Sequence, residues 1–170
     1  MQTSRRKVTN IIFAGLGGHG VLKASDIAAE AAIRSGYDVK KSEIHGMSQR
    51  GGSVTSDVRF GDAVFSPMTP PGEADYLVVL SQDQIAPNLG QLRPGGILLH
   101  ARMLEKIPFR DKRVVNVALL GLLSSHLPIP LAAWIEAIRG NLPTMYQAMN
   151  LEAFQKGREL TGQLETGGDR

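Results

Sequence analysis

The chain has 170 residues, a net charge of +3 and no cysteine. That length suffices for one domain with its own core, while the missing cysteines exclude a disulfide framework and any thiolate-held zinc or iron–sulfur cluster within the chain, in keeping with a reducing compartment. The apolar run after the basic opening residues is only about seven residues long, too short for a signal-peptide core or a membrane span, so a cytoplasmic protein with no membrane contact is expected.

The basic residues are scattered (Arg5, Arg6 and Lys7; Lys40 and Lys41; Arg110, Lys112 and Arg113) rather than massed among aromatics. This argues against nucleic acid as a partner and suits a small polyanion or an acidic partner face, with most of the charges solvated.

In chain order, residues 8–14 (VTNIIFA) read as a buried strand, followed by the loop GLGGHG and a helix over residues 21–34 that Ser35-Gly36 stops. Residues 37–44 begin as a second strand, and residues 45–52 (HGMSQRGG) form a polar loop. Residues 53–60 alternate as a strand, with Val54, Ser56 and Val58 on one side, and residues 63–66 are its expected hairpin arm. A proline loop follows, then strands at 76–80 (YLVVL), 97–100 and 113–117, with a partly helical stretch at 82–92. Helices are expected over 118–127, 131–139 and 151–160. Strands alternating with helices imply an α/β fold. The expectation is a three-layer Rossmann-like domain over residues 1–160, with a mostly parallel sheet, an antiparallel hairpin insertion and a flexible tail at 161–170.

Gly15, Gly17 and Gly20 satisfy G-x-G-x-x-G between a strand and a helix, the context the pattern needs. Glycines there let the backbone approach a ligand, and the free N–H groups of the helix start face an anion. Gly18 and His19 complete the crest, where His19 is either a donor to that anion or a bystander. The same glycines could serve only close strand–helix packing. A nicotinamide dinucleotide reader would also need an acid at the end of the second strand, yet Asp38 stands at its beginning, and Lys40 and Lys41 suit a phosphate better than a bare diol.

The stretch SEIHGMSQRGGSV is the second glycine corner. Arg50 offers a planar fork for carboxylate or phosphate, Gly51 and Gly52 leave backbone N–H groups uncovered, and Ser48 and Gln49 add uncharged hydrogen-bonding groups. Such a corner contacts either a ligand or a neighbouring subunit. Glu43 and His45, two apart on a strand, share a face and read as a polar contact without a nucleophile or metal partner.

Taken together, GLGGHGVLKAS, KKSEIHGMSQRGGSV, RFGD, GEADYLVVL and the late NLEAFQKG resemble the gamma subunit or gamma domain of 2-oxoacid:ferredoxin oxidoreductases. The likeness covers most of the chain. It is nearest to the small subunit of indolepyruvate ferredoxin oxidoreductase or the gamma subunit of phenylglyoxylate dehydrogenase, and SQRGG is its specific part. One departure is His19, where the family more often carries glutamine.

The resemblance implies a non-catalytic subunit of an assembly that converts a 2-oxoacid and coenzyme A to acyl-CoA, carbon dioxide and a reduced acceptor. Thiamine diphosphate and iron–sulfur clusters would sit in partner subunits, with ferredoxin or another acceptor reached through the complex and an aromatic substrate favoured. This chain would hold no cofactor alone and would contribute Gly15, Gly17, Gly18, His19, Gly20 and Ser48, Gln49, Arg50, Gly51, Gly52 to the coenzyme A side of the cleft. The competing readings are a stand-alone dinucleotide-binding reductase or sensor, resting on the first glycine loop alone, and a purely structural spacer.

Overall fold

The computed structural model describes residues 7–46 and 51–166. Strand β1 (Thr9–Leu16) buries Ile11, Ile12, Phe13 and Ala14 in succession, as a strand covered on both faces must. Helix α1 (Val21–Arg34) turns a face of Val21, Ala24, Ile27, Ala28, Ala31 and Ala32 inward, and its small alanines let it lie close to the sheet. It ends as Ser35-Gly36 foretold. Gly36 N–H donates to Ile33 O at 3.0 Å and Tyr37 N–H to Ala32 O at 3.2 Å, a Schellman closure in which the Tyr37 ring then packs edge-on to Phe60.

Strands β2 (Asp38–His45), β3 (Ser53–Gly61), β4 (Ala74–Val79) and β5 (Leu92–His100) complete one sheet in the order β2-β3-β1-β4-β5. β1 pairs in parallel with β4, and β4 with β5. β3 lies antiparallel between β1 and β2, with Ile11 opposite Val58 and Lys41 opposite the same Val58. The α/β class therefore stands, and β3 is the antiparallel insertion in a sheet whose other strands share one direction.

The return arm differs from expectation: residues 63–66 form no strand, and β3 pairs instead with β2, which precedes it. Side chains divert that segment. Val64 N–H donates to Asp38 Oδ2, Thr69 N–H to Asp57 Oδ2 and Arg59 Nη1 to Ser66 O, all at 2.8 Å, which lays residues 62–72 across the sheet instead of along its edge.

The two faces are covered unequally. One carries Ile11, Phe13, Val58, Phe60, Val78 and Leu99 under α1 and three later helices: α3 (Val115–Ser124), α4 (Leu131–Asn141) and α5 (Thr144–Thr166). The other carries Ile12, Ala14, Leu77 and Val79, roofed by Ile85 of the short helix α2 (Ile85–Asn88), which lies between two single helical turns. The strand expected at 113–117 is instead the 3₁₀ turn Lys112–Val114 and the start of α3. A short apolar run is ambiguous between a buried strand and a buried helix. Asp111 decides it by accepting from Arg113 N–H at 2.9 Å as an N-terminal cap.

Helix α3 is buried all round, which is the mark of a core helix. It crosses α5 at Gly121 and Gly157, where each glycine's missing side chain leaves room for the other helix's backbone. Helix α5 continues to Thr166, past residue 160 where the apolar spacing ends. No helix among the described residues is long and apolar enough to cross a membrane.

Asp57 lies half-buried beneath the 62–72 segment, and burial pushes its carboxyl above the usual aspartate range, partly offset by the Thr69 N–H. In the window from about 3.9, the ordinary aspartate value, up to the raised folded value, the native state binds more protons than the unfolded chain, so stability falls as pH rises. Asp57→Asn keeps an acceptor for Thr69 and removes the charge. It is expected to melt higher than the parent near neutral pH, with the difference shrinking below ~pH 3. A difference of equal size at both pH values would contradict this account.

Candidate functional site

The first glycine loop leaves β1 at the carboxyl end of the parallel strands, where open α/β sheets place ligands. Its glycines divide the work. A Cβ on Gly15 would lie 2.7 Å from Val21 Cγ2 and 3.2 Å from Leu80 Cβ, so Gly15 serves strand–helix packing. Gly18 and Gly20 take φ of +89° and +83°, in the left-handed region that favours glycine. Gly20 also abuts Asn116, whose Nδ2 donates to Gly20 O at 3.2 Å, whereas nothing lies within 4 Å of a Cβ placed on Gly18. Packing thus accounts for Gly15 and Gly20, while Gly18 leaves open backbone at the crest. Among the described residues the N–H groups of Gly18 and Gly20 have no hydrogen-bond partner.

The two glycine corners touch. Gly17 N–H donates to Gly52 O at 2.9 Å, and a Cβ on Gly17 would approach Gly51 N at 3.4 Å. The β1–β3 pairing brings this about, because Leu16 at the end of β1 stands opposite Ser53 at the start of β3. Gly46 N–H closes the β2–β3 connection onto Ser53 O at 2.7 Å, and Gly51 has φ +66° with open space where a side chain would stand. Ser48, Gln49 and Arg50 lie outside the described residues.

Glu43 and His45 form the expected polar contact: His45 Nε2 lies 3.8 Å from Glu43 Oε2. Glu43 is held below the usual glutamate range chiefly by Lys41, whose Nζ is 2.5 Å away. Lys41 also reaches Asp26 at 2.7 Å, and Lys40 pairs with Asp38 at 2.8 Å. The lysine pair is therefore engaged by carboxylates of its own chain.

Ser81, just past β4, is a participant that pattern reading missed. Its Oγ receives Leu16 N–H at 3.1 Å and lies 2.7 Å from His19 Nδ1, which ties the crest of the glycine loop to the neighbouring strand end. Its only sequence signal was its place directly after a buried parallel strand.

Lys112 and Arg113 carry no motif either: by sequence they are scattered charge and the start of an apolar run. They flank a cavity of about 630 Å³ that Gly18, His19, Gly20, Leu80 and Val115 complete. Arg113 is braced by Asp111, with Nη2 to Oδ2 at 2.6 Å, and that contact holds the Asp111 carboxyl below its usual range. A concavity of similar size, about 640 Å³, lies between residues 102–108 and α5, but it has neither strand ends nor a glycine loop on its wall. The described residues contain no group of three or more histidine or carboxylate side chains able to hold a metal. With no cysteine in the chain, an iron–sulfur cluster does not fit it. A phosphate-bearing ligand fits the basic, glycine-walled cavity.

A dinucleotide of the nicotinamide type fits less well. Its reader sets the second strand beside the first, with the ribose-binding acid at that strand's carboxyl end. Here β3 separates β2 from β1, and Asp38 stands at the opposite end of β2.

This geometry has known counterparts. The crystal structure of a keto/oxoacid ferredoxin oxidoreductase gamma subunit from Geobacter sulfurreducens superposes with a TM-score of 0.76 at 27% identity, covering 91% of this chain and 99% of that one. The 2-oxoglutarate:ferredoxin oxidoreductase from Magnetococcus marinus, solved with 2-oxoglutarate, coenzyme A and succinyl-CoA bound, shares the fold at a TM-score of 0.76 and 22% identity, with 92% of this chain on 31% of that longer one. In sequence, the indolepyruvate oxidoreductase subunit IorB of Pyrococcus horikoshii is 31% identical, covering 89% of this chain and 95% of the relative. A family model described as pyruvate ferredoxin/flavodoxin oxidoreductase matches residues 10–113. With that match spanning more than half of the chain and the Pyrococcus relative aligned over nearly all of it, the chain belongs to the pyruvate ferredoxin/flavodoxin oxidoreductase family.

Proposed function

We propose that this chain is the gamma-type subunit of a multi-subunit 2-oxoacid:acceptor oxidoreductase, walling the coenzyme A side of the cleft and helping to assemble the complex. The observation that carries the reading is the Gly17–Gly52 hydrogen bond, which joins two open-backbone corners beside a basic cavity at the carboxyl ends of the strands. Bare N–H groups and cations suit the phosphates of coenzyme A. The reaction of the assembly is a 2-oxoacid plus coenzyme A to acyl-CoA, carbon dioxide and a reduced acceptor, with ferredoxin as the acceptor suggested by the names of the solved counterparts. Thiamine diphosphate and the clusters belong to partner subunits. The indolepyruvate relatives favour an aromatic 2-oxoacid, and the complex is placed in the cytoplasm.

The test is reconstitution with the subunits that copurify with the chain. The chain alone is expected to oxidise no 2-oxoacid, whereas the complex does. Arg50→Ala in the complex is expected to weaken coenzyme A by about 1.5–3 kcal/mol, the scale of a charged hydrogen bond, read as a raised KM for coenzyme A with assembly intact. Turnover by the lone chain, or a normally assembled variant with an unchanged KM, refutes the proposal.

A further inference from the structure

His19 is exposed at the crest of the first loop and lines the basic cavity, yet one ring nitrogen points back into the protein, where Nδ1 lies 2.7 Å from Ser81 Oγ. Ser81 is only 6% exposed, so its hydroxyl hydrogen must find a protein acceptor. Leu16 N–H already donates to the same oxygen at 3.1 Å and so uses it as an acceptor. Among the described residues, the remaining hydrogen-bond contact of that hydroxyl is His19 Nδ1. If Nδ1 carried the ring proton, the Ser81 hydrogen would be buried with nothing to accept it, and a buried donor left unpaired is strongly disfavoured. The uncharged imidazole has one donor nitrogen and one acceptor nitrogen, so assigning Nδ1 as the acceptor makes Nε2 the donor.

We infer that Ser81, by donating to Nδ1, holds His19 as the Nε2–H tautomer, so that the crest of the loop presents an uncharged N–H donor to an oxygen of a phosphate-bearing ligand in the cavity beside Lys112 and Arg113. Ser81 is then a positioning residue and His19 the contacting one. The surrounding groups agree with this ligand class. Gly18 and Gly20 offer unpartnered N–H groups, Lys112 is exposed, and Arg113, although braced by Asp111, remains 79% exposed in its side chain. An oxyanion there would meet donors from the loop on one side and cations from the Lys112–Val114 turn on the other. The ligand half of this inference rests on the anion-site reading above. The tautomer half stands on the ligand-free chain.

The experiment is nitrogen-15 NMR of the histidine rings in the full chain at about pH 8, where an ordinary imidazole is uncharged. His19→Gln assigns its resonances among the four histidines. The expected result is a protonated Nε2 and a bare Nδ1 at His19 in the wild type, with the preference lost in Ser81→Ala. Inorganic pyrophosphate is then expected to shift the Nε2 resonance, and its affinity should fall roughly fivefold in both Ser81→Ala and Lys112→Ala, about one hydrogen bond's worth.

A protonated Nδ1 in the wild type overturns the assignment without recourse to Ser81→Ala, even should that variant not fold. An unchanged tautomer in a folded Ser81→Ala removes Ser81 from the role. Pyrophosphate that leaves His19 unmoved overturns the ligand half. None of these alters the KM for coenzyme A measured on Arg50→Ala in the complex, so failure here and failure of the coenzyme A reading are read separately.

Discussion

Gly157→Ala is expected to lower the unfolding free energy by about 2–4 kcal/mol, at the upper end of overpacking costs and despite the roughly 1 kcal/mol that alanine gains over glycine in a helix. The added methyl would run into Ala118 O, with Ala118 C at 2.8 Å and Cα at 3.2 Å. All three are atoms of a buried helix's main chain, so no rotamer change relieves the contact and α5 must move off α3. Separation would also loosen the packing around Leu119, Leu122 and Phe154, which are buried in the same core. Gly121→Ala meets Phe154 O and Arg158 N from the opposite side and is expected to behave alike. Gly90→Ala is the control, since that exposed glycine has nothing within 4 Å of its would-be Cβ and should change stability by less than about 0.5 kcal/mol. Denaturant titration of the three variants decides the matter, and a Gly157→Ala midpoint matching that of Gly90→Ala would show that the helices do not meet as described.

Gly20→Ala should cost about 2–3 kcal/mol, combining roughly 1–2 kcal/mol for a side chain in the left-handed region with about 1 kcal/mol for a lost hydrogen bond. The new methyl would press on the Asn116 amide, with Cγ at 2.9 Å, and turn Nδ2 away from Gly20 O. Gly18→Ala separates the two contributions. Its φ is +89°, but its surroundings are open, so only the backbone cost of about 1–2 kcal/mol applies. Thermal melts of the pair should therefore differ by about one hydrogen bond, with Gly20→Ala the lower. Equal melting temperatures would mean that Asn116 does not buttress the loop.

Much of this architecture was legible in the chain because it is written in local chemistry. β1, α1 and the Ser35-Gly36 stop follow from an apolar run, a 3.6-residue spacing and a glycine end. The alternation of β3 gave its inward face, since Val54, Ser56 and Val58 are all buried. The errors fell where local pattern is silent. Residues 113–117 are apolar and β-branched enough for a strand, and only the Asp111 cap before them and the close packing of the same helix on α5 further along, at Ala118 and Gly121, make a helix. Residues 63–66 look like a hairpin arm, but carboxylates on β2 and β3 capture the N–H groups of Val64 and Thr69.

The candidate site divides in the same way. Both glycine corners announce themselves, because open backbone needs glycine wherever it occurs. That they touch, through Gly17 and Gly52, depends on β3 inserting between β2 and β1. Ser81, Lys112 and Arg113 carry no motif and enter through contacts across 62 and more residues of sequence separation.

By itself, then, the order of residues determined the α/β class, the two corners and the absence of thiolate chemistry, since each is a matter of residue type and short-range spacing. Only the tertiary structure decided which strand lies beside β1, which cations face the glycine loop and which nitrogen of His19 turns outward. Those depend on pairing and burial between distant segments, where the free energy lies in contacts that no local window contains.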